Sequence, residues 1–147
     1  VLPLIILCLV ILLGMMTLGS PSNQERISEE PITLPEIPVL EIYDQAVTNS
    51  KIVVDEVQSN EPGWIAIYSD EYGMPGQMIG YRQIFPGIFR QFEIEIDLSN
   101  ATVVLFARVH KDLGQRGIFE YPGIDKPIAV NRMAETQSIR ITYPYLS

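Results

Sequence analysis

The chain reads as an all-β protein, an antiparallel β-sandwich of about seven strands preceded by an N-terminal apolar helix or signal segment. Three features lead there. Beyond residue 39, apolar and polar residues alternate with a period of two; Gly, Asn and Pro recur at the joints between those runs; and no amphipathic stretch long enough for a helix follows residue 19. A chain of 147 residues holds one domain plus extensions, large enough to bury a core without metal or disulfide support.

The first element is residues 1–19, VLPLIILCLVILLGMMTLG, which carry no charge, so that every Lys, Arg, Asp and Glu comes afterwards. The apolar run Leu4 to Leu13, followed by Thr17-Leu18-Gly19 before Ser20, fits a signal peptide with a small-residue cleavage region. The alternative is an uncleaved anchor that holds the chain to the membrane through residues 1–19, which just reach the roughly 20 apolar residues a span requires. Pro3, Gly14 and Gly19 weaken a long helix and favour the signal peptide. Cys8 sits inside the run rather than at its end, which argues against a lipidated cysteine, and the run stops too early for a pilin-like stalk helix. Because residue 1 is Val and no basic leader precedes the run, the reading frame is expected to extend upstream.

Residues 20–38, SPSNQERISEEPITLPEIP, hold four prolines and a net charge of -3 without regular apolar spacing. A Pro/Glu-rich linker or stalk is therefore expected over 20–39 and the folded domain over 40–147. Within that domain the candidate strands are Leu40–Tyr43, Lys51–Val57, Trp64–Ser69, Gln77–Gln83, Ile88–Leu98, Thr102–His110 and Gln137–Tyr143. In the fifth, Ile88, Phe92, Ile94, Ile96 and Leu98 share one parity and Gln91, Glu93, Glu95 and Asp97 the other, predicting one core face and one wet face. The sixth has apolar residues on both parities, Val103, Leu105, Ala107 and Val109 against Val104 and Phe106, which predicts a central strand partly covered on its second face. The joints are Asn60-Glu61-Pro62-Gly63, Tyr72-Gly73-Met74-Pro75-Gly76, Phe85-Pro86-Gly87 and Tyr121-Pro122-Gly123. The last strand, running into IRITYPY, closes a sheet or offers an edge to a partner strand.

Charge and cysteine content exclude several functions. Ten Lys and Arg stand against 18 Asp and Glu, a formal charge of -8 with no basic cluster, so nucleic acid is not an expected partner. The sole cysteine, Cys8, lies in the leader, leaving the domain without a disulfide, a thiolate zinc site or a cysteine nucleophile.

The segment His110–Pro127, HKDLGQRGIFEYPGIDKP, concentrates the only histidine, three carboxylates, three glycines and two prolines. Asp112, Glu120 and Asp125, with or without His110, are the candidate ligands for a divalent cation, calcium being the cofactor their oxygens would suit. Measured against a calcium loop, Asp112 takes the first position, Gly117 the sixth and Glu120 the ninth, but Gly114 and Arg116 fall where oxygen donors are needed. The preferred reading is a structural turn, with Asp112 bonded to nearby backbone amides and Glu120 paired with Lys111, Arg116 or Lys126, and no cofactor.

His110 as a general base would need a nucleophile and an orienting group, and a lone histidine at the end of an apolar strand is more simply a hydrogen-bonded one. The chain has no Gly-x-Ser-x-Gly elbow, and Gly73-Met74-Pro75-Gly76 lacks the lysine and the helix of a phosphate loop. Asp70 and Glu71 read as solvated turn residues rather than a catalytic pair. Trp64, Tyr68, Tyr72 and Tyr81 are candidates for an exposed platform for a glycan or protein partner, the simpler reading being Trp64 in the sandwich core and tyrosines at its rim.

The run Tyr43-Asp44-Gln45, the strand Ile52 to Val57, PGWIAIYSDEYGMPGQMIGY from Pro62 and HKDLGQRGIFEYPGIDKPI from His110 together resemble a family of uncharacterised extracytoplasmic domains of archaeal and bacterial secreted or surface proteins. The similarity spans roughly residues 40 to 143. It implies an immunoglobulin-like sandwich and a location beyond the membrane, secreted or anchored at the cell surface, and it implies no activity. The expectation is thus a non-enzymatic exported module with a structural or adhesive role. The alternative is a module that binds a divalent cation or glycan through the 110–127 loop or the aromatic surface.

Overall fold

The computed structural model describes Gly19, residues 30–130 and residues 133–143. Two compact units divide the chain, Val1–Ile32 and Thr33–Ser147. In the first, Gly19 and residues 30–32 carry no regular secondary structure, while the leader helix or signal segment and most of the expected linker lie outside the described residues. Among the described residues no helix is long and apolar enough to cross a membrane.

The second unit is a β-sandwich. Its strands are β1 (Val39–Glu41), β2 (Gln45–Ala46), β3 (Lys51–Ser59), β4 (Gly63–Glu71), β5 (Met74–Ile84), β6 (Gly87–Glu95), β7 (Val104–Lys111), β8 (Ala129–Val130), β9 (Met133–Ala134) and β10 (Gln137–Thr142). One sheet has the order β1-β3-β6 and the other β2-β10-β7-β4-β5, with β8 and β9 a separate hairpin. Every ladder is antiparallel except that of β2 with β10. The expected strands are all present, and their order, with β4, β7 and β10 adjacent in one sheet and β1, β3 and β6 in the other, is that of an immunoglobulin-like sandwich. Two-residue strands such as β2 are too short to display alternation, which is why only the seven longer runs were legible.

Isoleucine dominates the core between the sheets. Ile52, Ile65, Ile67, Ile94, Ile139 and Ile141 are buried there with Val54, Val57 and Leu105. Their branched side chains suit a pleated surface, and each contributes about 2–3 kcal/mol by leaving water. β7 is the central strand of its sheet, as its apolar residues on both parities predict.

Uninterrupted alternation fails at the start of β6. Ile94 and Ile96 face the core as expected, but Phe89 rather than Ile88 packs against it, and Leu98 is exposed in a 3-10 turn. Gln91 takes a φ of 51°, a left-handed kink that reverses the parity of the strand, and the paired strand reverses with it between Val54 and Val57.

Side chains close the sheet edges. The Gln45 amide donates to the Val53 carbonyl and accepts from the Val53 N–H, each at 2.8 Å, tying β2 to β3 in the opposite sheet. At the other edge Asp97 donates its amide to the Ile79 carbonyl, and Arg82 reaches the Glu93 carbonyl while covering the Phe92 ring at 4.0 Å. Gly80 makes that approach possible: a Cβ there would lie 2.3 Å from the Glu95 carbonyl oxygen. Gly80→Ala is expected to lose about 1–3 kcal/mol, read as a lower urea midpoint at unchanged slope, because backbone and not a movable side chain stands in the way.

Candidate functional site

Strand register places the aromatic and titratable side chains together. Trp64 lies opposite His110, Ala66 opposite Arg108 and Tyr68 opposite Phe106, so these six residues share the outer face of the β4–β7 pair while Ile65, Ile67, Leu105 and Ala107 face the core. Such a face is ordinarily wet. Here the connection from β7 to β10 folds back over it, pinned at its base by Lys111 N–H to Lys126 carbonyl at 3.2 Å and Ile128 N–H to Val109 carbonyl at 2.8 Å. Phe119 and Tyr121 are its plugs. The Phe119 ring packs 5.1 Å from Trp64 and 4.9 Å from Tyr81, and Tyr121 sets its ring 4.7 Å from the His110 imidazole.

His110 is wholly buried, and both ring nitrogens are bonded. Nδ1 lies 2.8 Å from the Asp125 carbonyl oxygen, which only accepts, so Nδ1 carries the proton of the neutral ring. Nε2, 2.7 Å from the Tyr68 hydroxyl, therefore accepts from it. Burial holds the His110 pKa below its ordinary 6.5, with the Arg108 charge acting in the same direction against the opposing Asp125 contacts. Burial and the nearby Tyr121 likewise push the Tyr68 phenol above its usual range, keeping it a donor.

The three candidate metal ligands are placed as follows. Asp125 is wholly buried, its Oδ1 accepting from the amides of Leu113 at 2.8 Å and Gly114 at 3.3 Å and its Oδ2 from the amide of Glu120 at 2.9 Å. Burial alone would raise its pKa, but those three amides and His110 outweigh it and hold the carboxyl below the ordinary value. Asp112 Oδ2 accepts from the Gly117 amide at 3.0 Å, and Gly117 has a φ of 78°. Its Oδ1 is buried without a hydrogen-bond partner among the described residues.

Glu120 accepts from the Gln115 amide at 2.6 Å, so the ion pair expected between Glu120 and Lys111, Arg116 or Lys126 is replaced by a bond to the loop's own backbone. A Cβ at Gly114 would strike the same carboxylate. Among the described residues no three His, Cys, Asp or Glu side chains are grouped so as to hold a metal. Addition of EDTA is expected to leave the thermal midpoint unchanged, and a midpoint that rises with calcium would contradict this.

Two sequence expectations for the aromatics are corrected. Trp64 is not in the core between the sheets but on the outer face, 5% exposed, because its parity is opposite to that of Ile65 and Ile67. Nor do Trp64, Tyr68, Tyr72 and Tyr81 form a platform, since Trp64 and Tyr68 are sealed under the loop and Tyr72, 96% exposed, stands at the β4–β5 hairpin tip. The site residues that sequence reasoning missed are Arg108, Phe119 and Tyr121. Their signal was the second apolar parity of β7, which demanded a covering layer without saying what supplied it.

An open groove of about 340 Å³ lies at the same end of the sandwich. The β3–β4 turn (Asn60, Glu61, Pro62), Glu36 to Pro38 and the loop residues Lys111, Leu113 and Lys126 line it. Within the assembly the imidazole is closed off by Tyr68 and the Asp125 carbonyl, and the carboxylates accept from backbone amides.

Residues 38–142 match the family model described as Domain of unknown function (DUF7282). No curated protein and no solved structure matches the chain.

Proposed function

Because the chain belongs to the family of the Domain of unknown function DUF7282, we propose, from its own residues, that it is a non-enzymatic, exported module of the cell envelope or surface with a structural or adhesive role. One observation carries this reading: the only imidazole is buried and doubly hydrogen-bonded, a fastener for the β7–β10 connection rather than a group that could reach a substrate. The uncharged leader ahead of a Pro- and Glu-rich segment supports display beyond the membrane, in an archaeal or bacterial envelope as the sequence resemblance suggests. The acidic balance suits a solvated exterior. In variable-type immunoglobulin domains the loops at one end make the contact surface, and in this chain the groove and the covering loop lie together at one end of the sandwich.

The test is topological and chemical. In cells expressing the full reading frame with a C-terminal tag, protease added outside is expected to remove the tag from intact cells; protection until lysis would overturn export. Purified chain is expected to show no turnover of ester, phosphoester or peptide substrates, and a turnover abolished by His110→Gln with the fold retained would overturn the non-enzymatic reading.

A further inference from the structure

The covering loop has two sides of opposite character. Its inner side carries Phe119, Tyr121 and the buried Asp125, and all three of its carboxylates bond to amides of the loop itself. Its outer side carries Leu113, Ile118 and Ile124, which are 55%, 48% and 51% exposed. Ile124 lies against Gly114, the residue after Leu113, since a Cβ there would be 2.7 Å from Ile124 Cγ2. Interleaved with these aliphatics are Lys111, Arg116 and Lys126. The ion pairs among the described residues join Lys51 to Glu93 and Arg90 to Glu56, and none uses the three loop cations. In a chain of formal charge -8, this segment keeps its three cations exposed while Asp125 is buried and Asp112 and Glu120 are half-buried on loop amides.

We propose that the outer surface of the 111–126 loop docks on an anionic lipid surface, seating Leu113, Ile118 and Ile124 at the headgroup boundary with Lys111, Arg116 and Lys126 against lipid phosphates. Branched aliphatics next to cations gain from a hydrocarbon boundary under an anionic layer. An anionic polymer would use the cations but leave the aliphatics in water. Each cation near such a surface raises binding about five-fold at low salt, so together the three favour anionic over neutral lipid by about a hundred-fold. The contact rests on the loop alone and is independent of export and of whether residues 1–19 are retained.

The experiment uses the full chain with Cys8→Ser and Gln115→Cys, the new thiol carrying an environment-sensitive fluorophore on an exposed loop position. A second chain labelled at Glu71→Cys, on the hairpin at the far end of β4, reports general adsorption. With vesicles of equal parts phosphatidylglycerol and phosphatidylcholine, the loop label is expected to shift to the blue and be quenched by nitroxide lipid, the Glu71 label not. Phosphatidylcholine vesicles are expected to give neither signal. Lys111→Glu with Lys126→Glu, or Leu113→Ser with Ile124→Ser, is expected to remove the loop signal at unchanged thermal midpoint. A loop label that stays in water on anionic vesicles overturns the proposal, as does an equal response to neutral vesicles. An equal response to soluble dextran sulfate without lipid also overturns it and assigns the surface to an anionic polymer.

Discussion

Asp125→Ala is expected to destabilise the domain by about 3 kcal/mol and to loosen the covering loop before the sandwich itself unfolds. The buried carboxylate is the sole side-chain acceptor shown for the amides of Leu113, Gly114 and Glu120, donors on both arms of the loop. Deleting it leaves these N–H groups to be hydrated in a site that excludes water, and unpaired buried donors cost more than the bonds themselves contribute. For a domain of this size about 3 kcal/mol corresponds to a fall in thermal midpoint on the order of 12 °C. Asp125→Asn keeps one oxygen and is expected to lose roughly half as much. The measurement is urea denaturation of both variants followed by Trp64, the single tryptophan of the chain, packed 5.1 Å from Phe119 beneath the loop. Equal, negligible losses in both variants would show that the carboxylate does not hold the loop.

The second large effect is on pH dependence. The folded-state pKa of His110 lies below its ordinary 6.5, so the unfolded chain binds a proton that the native chain resists. Stability is therefore full above about pH 6.5 and falls as the pH drops from there toward the folded pKa, by up to about 1.4 kcal/mol per pH unit within that window. Protonation turns Nε2 into a donor, so the Tyr68 hydroxyl must accept from it and turn its own proton elsewhere, while the buried imidazolium faces the Arg108 charge. Asp125 has the same sign in a separate window: its carboxyl, ordinarily near 3.8, titrates lower in the fold, contributing stability above pH 3.8 that is lost as the pH falls through the folded value. His110→Gln is expected to be less stable at pH 7 by about 2 kcal/mol, and its stability should be flat between pH 7 and 5 where the natural chain declines. Parallel declines in the two chains would rule His110 out as the titrating group.

Much of the fold was legible because a half-buried strand writes itself as alternation. Ile94 and Ile96, alternating with Glu93, Glu95 and Asp97, announce their face directly. What escaped was local backbone geometry. Nothing in the residue types around Gln91 signals a φ of 51°, so the reversal that sends Phe89 inward and Ile88 outward was invisible. The site was legible only as an inventory. Asp112, Glu120 and Asp125 were identified as the polar groups that matter in the loop, but their partners are backbone amides at five to twelve residues' distance, which one-dimensional spacing does not distinguish from metal ligands.

The sequence by itself determined an all-β domain, the places of its seven longer strands, the lack of cysteine after Cys8 in the printed sequence, and a net acidic charge. These follow from composition and periodicity, which are properties of residue types and need no partner. Only the tertiary structure decided that β1 and β2 divide between two sheets, that Trp64 faces outward, and that the 110–127 segment lies across the β4–β7 face as a fastened cover. Those depend on which residues meet across 42 positions of chain, as Tyr68 meets His110, and a contact of that kind is fixed by strand register.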